Sequence, residues 1–68
     1  SLKEKRSVVR SFKERTQARF RVSVAEVGEL DHPGHAHLGV AVVANEAAHC
    51  DSVLEEIAAL ASNLIGAG

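Results

Sequence analysis

The chain is most distinctive for the residue types that it lacks. Its 68 residues include no Trp, Tyr or Met, two Phe and one Cys. A single thiol cannot form an internal disulfide, which is typical of a protein in a reducing compartment. No apolar run approaches the roughly 18–20 residues that a membrane span needs. We therefore expect a cytoplasmic protein with no membrane partner.

Short motifs that carry catalytic or cofactor chemistry are also missing. The sequence contains no Gly-rich phosphate loop, CxxC pair, HExxH or GxSxG. His49 and Cys50 are adjacent, but the side chains of neighbouring residues on a helix point about 100° apart. His49 is therefore poorly placed to act as a base for the Cys50 thiol. We predict a protein that is not an enzyme, with no catalytic residues and no cofactor.

Basic residues are confined to the first third of the chain. Residues 1–21 hold all eight Lys and Arg and two acids, a net charge of +6, whereas residues 22–68 hold seven acids and no Lys or Arg, a net charge of −7. Two interpretations stay open. The basic segment is a solvated face attracted to acidic elements of the same protein, or it is a surface that meets RNA or an acidic protein.

The same residues 1–21 have the pattern of an amphipathic helix. Ser1 and Glu4 have the spacing of a capping box at its start. One face collects the apolar positions and one threonine: Val8, Val9, Phe12, Thr16 and Phe20. Lys5 falls close to this face, where its stem would cover the edge of a core. Beside the apolar face runs a basic stripe, whose members are Lys3, Arg6, Arg10 and Lys13.

Two Val-rich segments, 21–27 and 36–44, predict an antiparallel hairpin around the loop 28–35, which contains the turn signal Pro33-Gly34. One side of the hairpin carries a small-residue face, formed by Ser23, Ala25, Val27, Gly39, Ala41 and Val43. Solvated sheet faces usually carry larger polar residues, so this face is either a tolerated apolar surface or one that another sheet approaches closely. The second interpretation predicts a homodimer with an interface at Ser23, Ala25, Gly39 and Ala41.

A second helix is predicted from Glu46 to about Ile65, with Asn45 as its N-cap and Gly66 at its end. Its apolar face would comprise Ala47, Cys50, Leu54, Ile57, Ala58, Ala61 and Leu64. The order helix, strand, strand, helix is the centre of a split β-α-β unit, so we predict an α+β, ferredoxin-like fold whose flanking strands are missing. We expect one small domain over residues 1–68, truncated at the N-terminus.

Histidines and cations supply two possible binding surfaces. His32, His35 and His37 have a spacing at which imidazoles can bind zinc, nickel or copper. A structural zinc site would want a fourth ligand, perhaps Asp31, but nothing in the spacing establishes one, so we predict no metal site and keep these histidines only as candidates. For RNA, the strands lack the aromatic residues on which bases stack. RNA contact would therefore run from the basic stripe to phosphates and depend strongly on salt.

The segments SLKEKRSVVRSF, RFRVSVAEVG and HLGVAVVANEAAH closely resemble the YlxP-like family of small, uncharacterised bacterial proteins. The resemblance implies a ferredoxin-like fold with a strand ahead of SLKEKR. Members are often encoded near translation-initiation and ribosome-maturation factors, which implies association with ribosomal RNA or ribosomal proteins. Pro33 and His35 stand where the family pattern has an aromatic residue and an Arg, so we do not expect this chain to share any binding that relatives perform through the aromatic residue.

The function that we predict is therefore a non-enzymatic ribosome- or RNA-associated module that uses a basic helix. A homodimeric protein-interaction module is the alternative, and a metal-binding histidine loop is the third.

Overall fold

A computed structural model of the chain describes residues 1–65. It contains two helices and two strands in the order α1 (Leu2–Arg19), β1 (Val22–Gly28), β2 (His37–Val42) and α2 (Ala47–Ile65). The strands pair antiparallel in a two-stranded sheet, and apolar side chains of both helices pack with those of one sheet face. The predicted α+β order of helix, strand, strand, helix is confirmed.

Helix α1 has well-defined ends. The hydroxyl of Ser1 accepts a hydrogen bond from the N–H of Glu4 at 3.2 Å, which satisfies one of the free donors of the first turn. The N–H of Phe20 still donates to the carbonyl of Thr16 at 2.8 Å, but Phe20 itself is extended. The helix therefore ends at Arg19, and the chain enters β1 after a two-residue connection.

The core lies between the sheet and the helices and is small. Its buried apolar residues come from three elements, with Phe12 on α1, Val24 on β1, and Val53 and Ile57 on α2. Phe12 is the largest of them, and burying a side chain of this kind stabilises a fold by about 1.5–3 kcal/mol. Thr16, one turn further along α1, is also fully buried.

Strand register decides which residues face this core. Val24 pairs with Val40 and Glu26 pairs with Leu38, whereas Val27 is the extra residue of an irregularity before Gly28. The alternation turns one side of the hairpin toward the helices. Val24 on this side belongs to the core, and five partly buried residues pack against it: Phe20, Val22, Leu38, Val40 and Val42. Glu26 lies on this same inward side.

The buried face of α2 differs from the predicted one. Val53 and Ile57 are buried and Leu60 is half-buried, whereas Leu54 and Ala58 are exposed. The prediction was right at Ile57 and wrong at Leu54 and Ala58, and it missed Val53. An Ala-rich helix has apolar residues on most of its circumference, so packing against Phe12 and Val24, and not the periodicity alone, selects the buried face.

Helix α2 begins one residue later than predicted. The helix begins at Ala47 instead of the predicted Glu46, whose carbonyl accepts the N–H of Cys50 at 3.3 Å. Glu46, not Asn45, therefore holds the position just before the helix. The predicted end at Gly66 and the side chain of Leu64 lie outside the described residues. Within residues 1–65, neither helix combines the length and the apolar character that crossing a membrane requires.

Candidate nucleic-acid interface and the buried lysine beside it

The basic stripe is exposed along the solvent side of α1. All four of its side chains, those of Lys3, Arg6, Arg10 and Lys13, are accessible to solvent. The stripe is turned roughly 120° around the helix axis from the buried line of Phe12 and Thr16. Such cations are placed to meet an anionic partner without any rearrangement of the core.

Ion pairing touches the stripe at one position among the described residues. A guanidinium nitrogen of Arg6 lies 3.6 Å from a carboxylate oxygen of Asp31 in the loop between the strands. Lys3, Arg10 and Lys13 form no ion pair within residues 1–65. Attraction to acidic elements of the same protein therefore accounts for Arg6 and leaves the other three cations open to solvent.

Lys5, next to Arg6 in sequence, has the opposite environment. Its side chain is 7% exposed. Its ammonium group donates to the carbonyl oxygens of Glu29 at 2.9 Å, Leu30 at 3.2 Å and His35 at 3.0 Å. We call these three oxygens the carbonyl cage. Since an ammonium group has three N–H donors, the cage satisfies all of them.

A carboxylate balances the buried charge of Lys5. An oxygen of Glu26, whose side chain is 15% exposed, lies 2.8 Å from the Lys5 nitrogen. The same oxygen has no hydrogen-bond partner of suitable geometry among the described residues. The two observations agree, because the carbonyl cage already uses the ammonium protons and Glu26 supplies charge rather than a directed bond. A buried cation without such a partner would be strongly unfavourable.

The sequence brings these two residues together through two periodicities. Lys5 shares the inward side of α1 with Val9 and Phe12, as its predicted place at the core edge anticipated. Glu26 follows Val22 and Val24 at the strand period of two and so must point inward. Glu26 was missed, although an acid on the inward face of a strand, with a lysine on the inward face of the preceding helix, is a readable signal.

The loop bound by Lys5 has a defined backbone. Glu29 has φ 50°, a left-handed conformation that costs a residue with a side chain on the order of 1 kcal/mol. The carbonyl of Glu29 accepts the N–H of His32 at 3.0 Å as well as the Lys5 ammonium, and the N–H of Gly34 donates to Nδ1 of His32 at 2.9 Å. Lys5 and these turns together hold the left-handed residue in place.

The three histidines of this region do not converge on one point. The rings of His32 and His35 have centroids 4.5 Å apart, whereas Nε2 of His37 lies 3.3 Å from a carboxylate oxygen of Glu29. Across the described part of the chain, no group of three or more His, Cys, Asp or Glu is arranged to hold a metal ion.

The small-residue face of the hairpin lies on the side away from the core. Ser23 pairs with Ala41 and Ala25 pairs with Gly39, so the four predicted interface residues form one contiguous block. Around them stand Val27, 66% exposed, and Val43, 94% exposed. A Cβ atom added to Gly39 would lie 3.1 Å from a methyl of Val27. The absence of a side chain at Gly39 therefore allows the side chain of Val27 to pack closely against the backbone of β2.

A comparison with known families places the chain. The model of a family described as "Protein of unknown function (DUF503)" matches residues 1–67. The chain therefore belongs to this family of proteins of unknown function. No curated protein and no solved structure gives a significant match. The match assigns neither the YlxP-like label nor a role with RNA or ribosomes, and both stay predictions.

Proposed function

We propose that this member of the DUF503 family is a non-enzymatic, cytoplasmic module that associates with the ribosome by binding RNA through the basic stripe of α1. The observation that carries the proposal is the state of the stripe itself. Four cations stand exposed on one helix, in a segment of net charge +6, and three of them have no ion pair among residues 1–65.

A helix holds such cations in a row that suits a phosphate backbone. Lys3 and Lys13 are ten positions apart, which is a distance of about 15 Å along a helix axis. Lys and Arg neutralise phosphates and release bound counterions, so affinity for RNA would fall steeply with salt. The small-residue face of the hairpin offers no aromatic side chain on which a base could stack, and RNA would be bound through its backbone with little sequence selectivity.

The test is binding of a short oligouridylate, measured by fluorescence anisotropy over a series of salt concentrations. Replacing Lys3, Arg6, Arg10 and Lys13 by Gln should abolish binding at moderate salt and lower the slope of log K against log salt by about 3, since each lost contact to single-stranded RNA removes about 0.7.

Three off-stripe arginines of the same segment provide the matched control. Arg15, Arg19 and Arg21 are exposed but lie outside the stripe. Replacing these three by Gln should weaken binding much less than replacing Arg6, Arg10 and Lys13, although both variants lose three charges. Equal losses would mean that net charge alone attracts RNA, and unchanged binding by the four-residue variant would contradict the proposal.

The second candidate function is a homodimeric protein-interaction module. Its support is the small-residue face, which carries no charged residue although a quarter of the chain is charged. Two copies related by a two-fold axis could bring this face together without like-charge repulsion. Replacing Ala41 by Glu should then yield monomers by light scattering, whereas replacing Ala58, exposed on α2, by Glu should leave the mass unchanged. An unaltered mass in the first variant would exclude this face.

A further inference from the structure

We propose that Asp31 competes with RNA phosphate for Arg6, so that the loop bound by Lys5 partly inhibits the basic stripe. The inference rests on the proposed function, because it concerns how the same stripe is regulated. It assigns a role to the interstrand loop that its sequence does not suggest, and it separates Arg6 from the other cations of the stripe.

The contact between Arg6 and Asp31 has the geometry of a competitor. The guanidinium and the carboxylate are 3.6 Å apart, and their side chains are 58% and 94% exposed. An incoming phosphate can therefore reach Arg6 from solvent. Carboxylates and phosphates are attracted to the same guanidinium, so Asp31, at 3.6 Å, competes with a phosphate for the positive charge of Arg6.

The backbone that carries Asp31 is fixed although its side chain is exposed. The residues before it, Glu29 and Leu30, each give a carbonyl oxygen to the Lys5 ammonium. A turn encloses Asp31, because the N–H of His32 donates back to the carbonyl of Glu29 at 3.0 Å. Lys5 thus acts as a positioning residue that holds the acid beside the neighbouring arginine on the helix.

Arg6 and Arg10 then form a natural comparison. They are the same residue type, one helical turn apart on the same stripe, and within residues 1–65 Arg6 is the one that faces a carboxylate. RNA would contact Lys3, Arg10 and Lys13 directly, and would gain Arg6 after displacing Asp31.

A double-mutant cycle on oligouridylate binding tests this coupling. Replacing Asp31 by Asn should tighten binding about threefold, the equivalent of a surface ion pair, because RNA no longer has to displace a carboxylate from Arg6. In the unmodified chain, Arg6→Gln should weaken binding less than Arg10→Gln. In the Asp31→Asn background the two arginine substitutions should cost the same.

Asp51→Asn is the control, because Asp51 is exposed on α2 and has no ion pair in the part of the chain that the structure describes. If it tightens binding as much as Asp31→Asn, the effect is one of net charge and the competition is refuted. An Arg6→Gln cost that is the same with and without Asp31 also refutes it.

These outcomes separate the inference from the proposed function. Stripe-dependent binding without the coupling would overturn the inference alone. If neither the unmodified chain nor the Asp31→Asn variant binds oligouridylate at low salt, both fail. Binding that appears with Asp31→Asn but not with Asp51→Asn would support both.

Discussion

The two sides of α1 use positive charge in opposite ways. On the inward side, Lys5 is nearly inaccessible and has all its donors satisfied by the carbonyl cage. On the solvent side, Arg6 is more than half exposed and meets one carboxylate at 3.6 Å. The two residues are neighbours in sequence and would be counted together in any charge total. Burial and the number of acceptors, not charge, separate a residue that holds the fold from one that is open to a partner.

The energies expected for the two sides differ by severalfold. Removing one partner of a buried ion pair typically costs about 3–5 kcal/mol, because the other charge stays buried without compensation. A surface pair such as that of Arg6 and Asp31 contributes about 0–1 kcal/mol. A protein of this length has roughly 3–10 kcal/mol of total stability, so the inward side of α1 decides whether it folds.

The largest effect is expected from replacing Lys5 by Met, which keeps most of the stem and removes the charge. We expect the free energy of unfolding in urea to fall by about 3 kcal/mol, since Glu26 loses its cation and the carbonyl cage loses its donors. Lys3→Met, the same change on the solvent side of the same helix, should shift stability by less than about 0.5 kcal/mol. If Lys3→Met lowered the free energy of unfolding as much as Lys5→Met, the proposed difference between the inward and solvent sides of α1 would be wrong.

A second substitution tests whether Glu26 is the partner of Lys5. In the Lys5→Met background, replacing Glu26 by Gln should restore about 1 kcal/mol of stability, because the carboxylate no longer remains buried without a cation. In the unmodified chain, the same Glu26→Gln change should destabilise. Costs that simply add in the double variant would show that the pair is not coupled.

On the inward side of α1, a substitution at Thr16 is expected to raise the stability of the protein. Its hydroxyl oxygen is buried without a hydrogen-bond partner among the described residues. Replacing Thr16 by Val, which has nearly the same shape, should stabilise the protein by about 1 kcal/mol in thermal or urea unfolding, because an unsatisfied polar group is removed. Thr16→Ser keeps the hydroxyl and loses a methyl, so it should destabilise. A loss of stability with Val would indicate that the hydroxyl is bonded in solution.

The smallest effect on stability belongs to the stripe. Replacing Arg10 or Lys13 by Gln should change the free energy of unfolding by less than about 0.5 kcal/mol, because both side chains are exposed and unpaired within residues 1–65. The same variants should weaken oligouridylate binding. A clear loss of stability would place these cations in an intramolecular role instead.

Much of the fold could be predicted because its signals are periodic. The capping of α1 by Ser1, the inward positions of Phe12 and Val24, and the small-residue face all follow from spacing in the sequence. Helix α2 shows the limit, because apolar residues surround much of it and spacing could not choose Val53 over Leu54.

The carbonyl cage could not be predicted at all. Every residue has a backbone carbonyl group, so the amino-acid sequence of the loop does not identify the carbonyl oxygens of Glu29, Leu30 and His35 as the acceptors for Lys5. The three oxygens converge because Glu29 has a left-handed backbone conformation, and a glutamate in the sequence does not predict that conformation. The exposed stripe could be predicted because the sequence gives both the charge of its residues and their helical spacing. The identity of the molecule that the stripe binds could not be predicted in this way.

The most direct test of the central claim is a residue-by-residue nuclear magnetic resonance titration of the chain with oligouridylate. The claim is that the solvent side of α1 binds and the inward side holds the fold. We expect signals of Lys3, Arg6, Arg10 and Lys13 to shift with added RNA, those of Asp31 to follow Arg6, and those of Lys5 and Glu26 to stay in place. Shifts centred on the small-residue face, or no shifts at low salt, would contradict the account.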